Sequence, residues 1–293
     1  MQTNHYTVGG HTFTVCLSDE GKTIEMSSYQ PFAVPEVPHD VSSLFTLVID
    51  DDFCPPEKGD TIGKFDCGAA DFGVYRLPDG SYQMLISPPG GQYCGLLQAN
   101  ADFSQGTIAT CGPDSLCSFA VNNALMLMYA FASATKGTLL IHASVIKQAG
   151  HGYLFLGHSG TGKSTHSSLW LKHIEGSELL NDDNPVIVVD EEGATVYGSP
   201  WSGKTPCYKN DSARIGAFVR IKQEPENHIM REKPLQSFST LQPSMSTMKW
   251  DKRVYNGVCD SVSRLVAKVP LYTLGCRPDQ EAAEVCHAEV TKQ

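Results

Sequence analysis

Eight consecutive residues, Gly157-His158-Ser159-Gly160-Thr161-Gly162-Lys163-Ser164, fit the pattern G-x-x-x-x-G-K-[ST], and Thr165 follows them. The pattern suits one chemistry. Glycines let the backbone curl until successive N–H groups converge on phosphate oxygens. A helix that starts at the lysine aims the positive end of its dipole at the same point. The Lys163 ammonium would neutralise charge on β- and γ-phosphates, and the Ser164 hydroxyl would ligate Mg²⁺. Gly157, Ser159, Gly160, Thr161, Gly162, Lys163, Ser164 and Thr165 are therefore candidate contacts for the phosphates of a nucleotide.

Two further groups could work with such a loop. Asn181-Asp182-Asp183 places adjacent carboxylates after it, able to hold Mg²⁺ and to take a proton from a hydroxyl. The same triplet also reads as a turn before the apolar run that follows, since Asn and Asp favour turns. His142 lies in the β-branched stretch 139–147. If Ile141 and Ala143 face the core, His142 shares a face with Ser144 and can reach the phosphates; otherwise it is a core histidine. His166 and His173 are expected on a helix surface. Lys204 is a candidate for an anionic substrate or a solvated loop lysine. Trp201 reads as core before it reads as a platform for a base. Nothing in the sequence places Arg214 or Arg220.

These groups need elements to hold them. An apolar strand at 153–156 leads into the loop, and a helix from Lys163 to about His173 leaves it. The connection 148–152 is too short for a crossover helix, so 139–147 and 153–156 are expected to be antiparallel neighbours. A further strand is expected at 185–189. Val254, Val258, Val262 and Leu265 share a helical face, 270–274 reads as a strand, and Asp279 caps a last helix. The stretch 234–250 is expected to be an irregular connection or lid. Earlier in the chain, strands are expected at 6–8, 12–17, 44–49, 73–77 and 82–86, with a hairpin turn at Asp79-Gly80. A helix from Asp114 or Ser115 to about Thr135, apolar nearly all round in its second half, is expected to be buried. The expected division is a β-rich domain of unassigned role at 1–112 and a nucleotide-binding catalytic domain at 113–293.

The chain has 293 residues, 41% hydrophobic and 18% charged, with formal net charge −10. That is long enough for two modest domains and speaks against disorder. The acidic balance argues against nucleic acid and anionic membrane as partners. The longest unbroken apolar run, 124–132, is shorter than a membrane span requires. Ten cysteines include no C-x-x-C pair or zinc-ligand spacing. The segment 1–10 has no basic-then-apolar pattern of a secretory leader, so reduced thiols and a cytoplasmic location are expected.

Ile141-His142-Ala143-Ser144, a hairpin leading into Gly-Lys-Ser-Thr, and an Asp-Asp pair ahead of a strand together resemble the catalytic domain of HPr serine kinase. That domain belongs to the superfamily that also holds ATP-dependent phosphoenolpyruvate carboxykinase. The resemblance covers about residues 115–290. It implies an α/β P-loop domain with a mixed sheet, preceded here by a smaller β-rich domain. It implies a kinase that uses ATP and Mg²⁺ and a seryl or other hydroxyl acceptor, in a protein or a small molecule. Lys163 would hold the β/γ-phosphates, Ser164 and Asp183 the Mg²⁺, Asp182 would take the acceptor's proton, and His142 would lie near the transferred group. HPr kinases form hexamers, so a homo-oligomer is among the implied assemblies. The resemblance departs after the acid pair. Bifunctional HPr kinases carry Glu-x-Arg-Gly-x-Gly there, whereas this chain reads Tyr197-Gly198-Ser199-Pro200-Trp201-Ser202-Gly203-Lys204, like HPr-kinase-like proteins of unassigned substrate. This speaks against HPr as the acceptor. The rival readings are a nucleotide-binding regulatory module without turnover and a carboxykinase-like enzyme on a small oxo-acid.

Overall fold

A computed structural model of the chain describes residues 2–18, 23–37, 42–55, 57–66, 70–203 and 205–292. It is mixed α/β, with two nine-stranded mixed sheets and five α-helices among the described residues. The chain divides into two compact units, Met1–Ser133 and Ala134–Gln293.

The first unit contains β1 (Gln2–Val8), β2 (His11–Leu17), β3 (Ala33–Val34), β4 (Thr46–Ile49), β5 (Asp60–Asp66), β6 (Asp71–Arg76), β7 (Tyr82–Ser87), β8 (Gly95–Ala99), β9 (Gln105–Thr110) and α1 (Asp114–Ser133). The strand order is β3-β1-β2-β4-β9-β8-β7-β6-β5. β2, β4 and β9 run parallel side by side; the other pairs are antiparallel. The Asp79-Gly80 hairpin forms as expected. Leu77 N–H donates to Ser81 O at 2.9 Å, and Gly80 takes φ +87°.

The division falls between Ser133 and Ala134, not at 112/113, because α1 is built into the first sheet. A Cβ on Gly95 would stand 2.7 Å from the Ala120 Cβ, and one on Gly106 would stand 2.9 Å from the Met128 Cε. Tyr129 Oη donates to Val8 O at 2.8 Å, and the Phe131 ring stands edge-on to Phe103 at 5.1 Å. The same small residues hid β8 and β9 from the sequence reading, since glycine weakens a strand pattern while admitting a close helix. The helix segment Asp114–Lys136 is long and apolar enough by composition to cross a membrane, and 72% of its most apolar window is buried.

The second unit contains β10 (Thr138–Leu140), β11 (Ala143–Gln148), β12 (His151–Leu156), α2 (Lys163–His173), β13 (Glu178–Asp183), β14 (Val186–Val189), β15 (Ala194–Tyr197), β16 (Ser212–Gln223), β17 (His228–Arg231), α3 (Pro234–Leu241), α4 (Lys252–Lys268), β18 (Leu271–Cys276) and α5 (Gln280–Val290). The strand order is β10-β14-β15-β16-β12-β11-β13, with β18 on the far part of β16 and β17 on β18. β16 pairs antiparallel with β15 through Ser212–Arg214, parallel with β12 through Arg214–Arg220 and parallel with β18 through Phe218–Gln223. α2 and α5 share a core with these strands, built on Phe155, Trp170, Val219, Leu274 and Cys286.

Three expectations change here. The single strand 139–147 is two: β10 pairs with β14, and β11 pairs with β12 and β13. His142 sits at the break, its N–H donating to Ser244 O at 2.8 Å. The stretch 234–250 is irregular only in its second part, 245–250, after a helix and a 3-10 turn at Gln242–Ser244. It forms α3, buries Met245 and Met248, and bridges Ile141 through Met245. The acid pair ends strand β13 and is not a free turn. Other readings hold: β11 and β12 are antiparallel, Val254, Val258, Val262 and Leu265 are buried, and Asp279 caps α5 by accepting from Ala282 N at 3.0 Å. The nine described cysteines are free thiols, six of them buried.

Candidate nucleotide and phosphoryl-transfer site

The register of three strands assembles the site. Ala143 stands opposite Leu156 on β12 and opposite Asp183 on β13. The residue before Ala143, the residue after Leu156 and the end of β13 therefore meet at one sheet edge. They are His142, Gly157 and Asp183.

The loop curls through its glycines. Gly157 takes φ +153°, and a Cβ there would collide with the Thr161 hydroxyl, so only glycine fits. Gly160 and Gly162 also carry positive φ, +83° and +105°. Thr161 closes the turn around Ser159 by donating from Oγ1 to His158 O at 2.8 Å. α2 starts at Lys163 with no side-chain cap from Gly162. Its first N–H groups, including those of Ser164 and Thr165, have no intrahelical carbonyl to reach.

Lys163 is buried, and each of its three N–H groups has an acceptor: His142 Nε2 at 2.8 Å, Gly157 O at 2.9 Å and His158 O at 3.4 Å. Burial pulls its ammonium below the usual lysine range, while Asp183 and Asp182 pull it back. An ammonium only donates, so His142 Nε2 accepts. The ring proton of neutral His142 then lies on Nδ1, which donates to Asp183 Oδ1 at 2.8 Å. Lys163, His142 and Asp183 thus form one hydrogen-bonded chain.

The two carboxylates differ in surroundings. Asp182 is buried and accepts from the Ser164 hydroxyl at 3.0 Å. The Asp183 side chain is 27% exposed and accepts from His142 and, at 2.9 Å, from Asn184 Nδ2. Ser164 therefore meets Asp182, whereas the sequence reading paired it with Asp183. Asp183 also takes φ +145°, a strained position for an L-residue, worth about 1–3 kcal/mol. His142, at the break between β10 and β11, and Ser144, on β11, both meet α2: Ser144 Oγ shares a 2.6 Å hydrogen bond with Ser167 Oγ.

A strap that sequence reasoning did not assign holds the acid pair from below. Gly203 N–H and Ser202 Oγ donate to Asp182 O, the latter at 3.2 Å. Asn181 Nδ2, fully buried, donates to Ser199 Oγ at 3.2 Å, and Ser199 Oγ donates to Asn184 O at 2.6 Å. A Cβ on Gly203 would lie 2.9 Å from Asp182 O and 3.1 Å from the Asp183 Cβ, so the strap depends on a glycine. The only sequence signal was the Ser-Pro-Trp-Ser-Gly run itself.

The remaining candidates separate. Trp201, within the strap, is buried. Lys204 lies outside the described residues. Arg214 is tied to Asp190 at 2.7 Å, and its register partner His151 is at the start of β12, away from the loop. Arg220 stands in register with Leu156, at the loop end. His166 is not on the surface: it is 2% exposed, its Nε2 accepts from Trp170 Nε1 at 3.1 Å, and burial pushes its imidazole down to about 4.

Fitness for Mg²⁺ rests on the donor set. Ser164 and Asp182 place a hydroxyl and a carboxylate oxygen in contact beside the loop. Among the described residues no group of three or more His, Cys, Asp or Glu could hold a metal by itself. Two protein oxygens suit an ion that completes its shell with substrate phosphates and water.

No protein-family model and no curated protein matches this chain.

Proposed function

We propose that the chain is an ATP- and Mg²⁺-dependent phosphotransferase acting on a seryl or other hydroxyl, with an HPr-kinase-like P-loop domain as its second unit. One observation carries the reading: Lys163, Ser164, His142, Asp182 and Asp183, from three separate segments, meet in one cluster of hydrogen bonds at the mouth of the Gly157–Lys163 loop. A solvated lysine in a glycine turn would not require that company.

The roles follow from burial. Lys163 and the loop N–H groups bind the β- and γ-phosphates. Ser164 and the buried Asp182 supply the oxygens that hold Mg²⁺, which offsets phosphate charge when bound. Asp183, the accessible carboxylate, is the base. It accepts the acceptor's proton as the hydroxyl oxygen bonds to the γ-phosphorus, the bond to the β–γ bridging oxygen breaks, and ADP leaves. His142 orients Asp183 through Nδ1–H and faces Lys163 through Nε2. This assignment exchanges the roles first given to Asp182 and Asp183, because a buried carboxylate on Ser164 cannot reach an incoming hydroxyl.

Incubation with γ-labelled ATP, Mg²⁺ and hydroxyl acceptors (free serine, seryl peptides and a cell lysate) tests the proposal. Label should move to an acceptor with wild type and not with Asp183→Asn. ATP binding without any transfer would leave a regulatory module. Oxaloacetate-dependent ATP consumption with loss of CO₂ would reveal a carboxykinase-like enzyme.

A further inference from the structure

A cavity of about 650 Å³ opens on the other side of the phosphate loop from the acid pair. Gly162, Thr165, His166 and Leu169 line it from the loop and α2, Ile221 from β16 and Cys276 from β18. It lies outside the carboxyl ends of β12, β16 and β18, three strands that run parallel. Such an edge is where open α/β sheets bind ligands, and the volume falls within the range of small-molecule sites.

Along the sheet the order is β13-β11-β12-β16, with β18 continuing on β16. The loop springs from β12, the acids end β13 on one side, and the cavity lies at β16 and β18 on the other. β13 and β16 are three strand spacings apart, about 14 Å. That is comparable with the length of an extended nucleoside triphosphate.

We infer that this cavity takes the nucleoside end of the nucleotide, so that the triphosphate crosses the loop from β16 toward β13 and the acceptor enters from the His142 side. The inference rests on the phosphate-loop reading above. Leu169 and Ile221 give the cavity apolar walls for a flat base, and Gly162 lets the backbone approach it. His166 also lines the cavity. Its Nε2 accepts from Trp170, so the neutral ring carries its proton on Nδ1, and Nδ1 is buried with no hydrogen-bond partner. The cavity does not suit the phosphoryl acceptor. Its carboxylate, Glu224, is engaged by His228 Nε2 at 3.3 Å, whereas the Asp183–His142 pair lies on the far side of the loop.

Calorimetric titration of Mg·ATP and Mg·tripolyphosphate into wild type, Leu169→Trp and Lys163→Ala tests this. Wild type should bind ATP at least about tenfold tighter than tripolyphosphate, because only ATP brings a base to bury. Leu169→Trp fills the cavity and should bring ATP down to the tripolyphosphate level while leaving tripolyphosphate unchanged. Equal ATP affinity in Leu169→Trp and wild type, or a parallel loss of both ligands in the variant, overturns the inference. Tripolyphosphate binding unaffected by Lys163→Ala would instead overturn the phosphate-loop reading beneath it. A second measurement needs no variant: photolabelling of wild type with 8-azido-ATP should mark 221–225 or 276–278. Label on 142–145 or 199–203 would place the base on the acid side and refute the assignment.

Discussion

Both sheets contain three parallel strands side by side, and both carry an acidic run where a strand ends. In the first unit β4 is followed by Asp50-Asp51-Asp52; in the second β13 ends in Asp182-Asp183. The first run is tied to its own turn and to the end of β9. Asp50 Oδ1 accepts from Asp52 N at 3.1 Å, and Asp51 Oδ1 accepts from Thr110 N at 2.8 Å and from its hydroxyl at 3.1 Å. The second run faces a lysine, a histidine and a serine delivered by a glycine loop and its helix. Sheet topology supplies an edge in both cases; at the second, Lys163 and the first N–H groups of α2 are delivered to it as well.

That contrast can be broken by mutation. The largest effect is expected at Asp183. Asp183→Asn should keep ATP binding and lower phosphoryl transfer by about 10²–10⁴, the usual contribution of a general base, measured by initial rates with γ-labelled ATP. Asp182→Asn, at the Ser164 carboxylate, should instead raise the Mg²⁺ requirement; the opposite pattern would restore the first assignment of roles. Next comes the strap. Gly203→Ala pushes a Cβ against Asp182 O and should cost roughly 10²-fold in turnover with little change in ATP affinity, since small misplacement of a catalytic group is costly. Asp51→Ala, in the first unit, removes the hydrogen bonds from Thr110 and should cost about 1 kcal/mol in urea unfolding while leaving ATP binding unaltered. If it abolished ATP binding, the two edges would not be functionally distinct. The smallest effect concerns exposed Asp190. Its hydrogen bond from Arg214 holds the carboxyl below its usual value. The stability it contributes is therefore present above the unfolded-state value near 3.8 and is lost as pH falls below it. Arg214→Ala should slightly flatten that acid limb in a pH series of melting temperatures.

The loop and α2 were legible in the sequence because their chemistry is local: glycines, a lysine and a serine in eight consecutive residues. The β11–β12 hairpin was legible from a connection too short for anything else. The acid pair was visible, but its division of labour was not, since burial of Asp182 and exposure of Asp183 depend on β11 and the strap. β13 was missed because half of it is Asn-Asp-Asp, held in the sheet by register with β11. β16 was missed because Arg214, Gly216 and Arg220 interrupt its apolar residues. His166 was misread as a surface residue because α2 has few apolar side chains; its burial comes from Phe155 and Trp170, which pack on it from the strand and the next turn. The end of the first unit was misplaced because α1 follows the strands that it covers, and the close fit of Ala120 and Met128 on Gly95 and Gly106 is long-range in sequence.

The central claim is that the Gly157–Ser164 loop binds the phosphates of ATP through Lys163. The most direct measurement is the melting temperature of wild type and Lys163→Ala with and without Mg·ATP. At a ligand concentration of about 100 times Kd, binding stabilises the wild type by about 2.7 kcal/mol and raises its melting temperature by several degrees. The account predicts that rise for the wild type and none for Lys163→Ala; an equal rise in both proteins would contradict it.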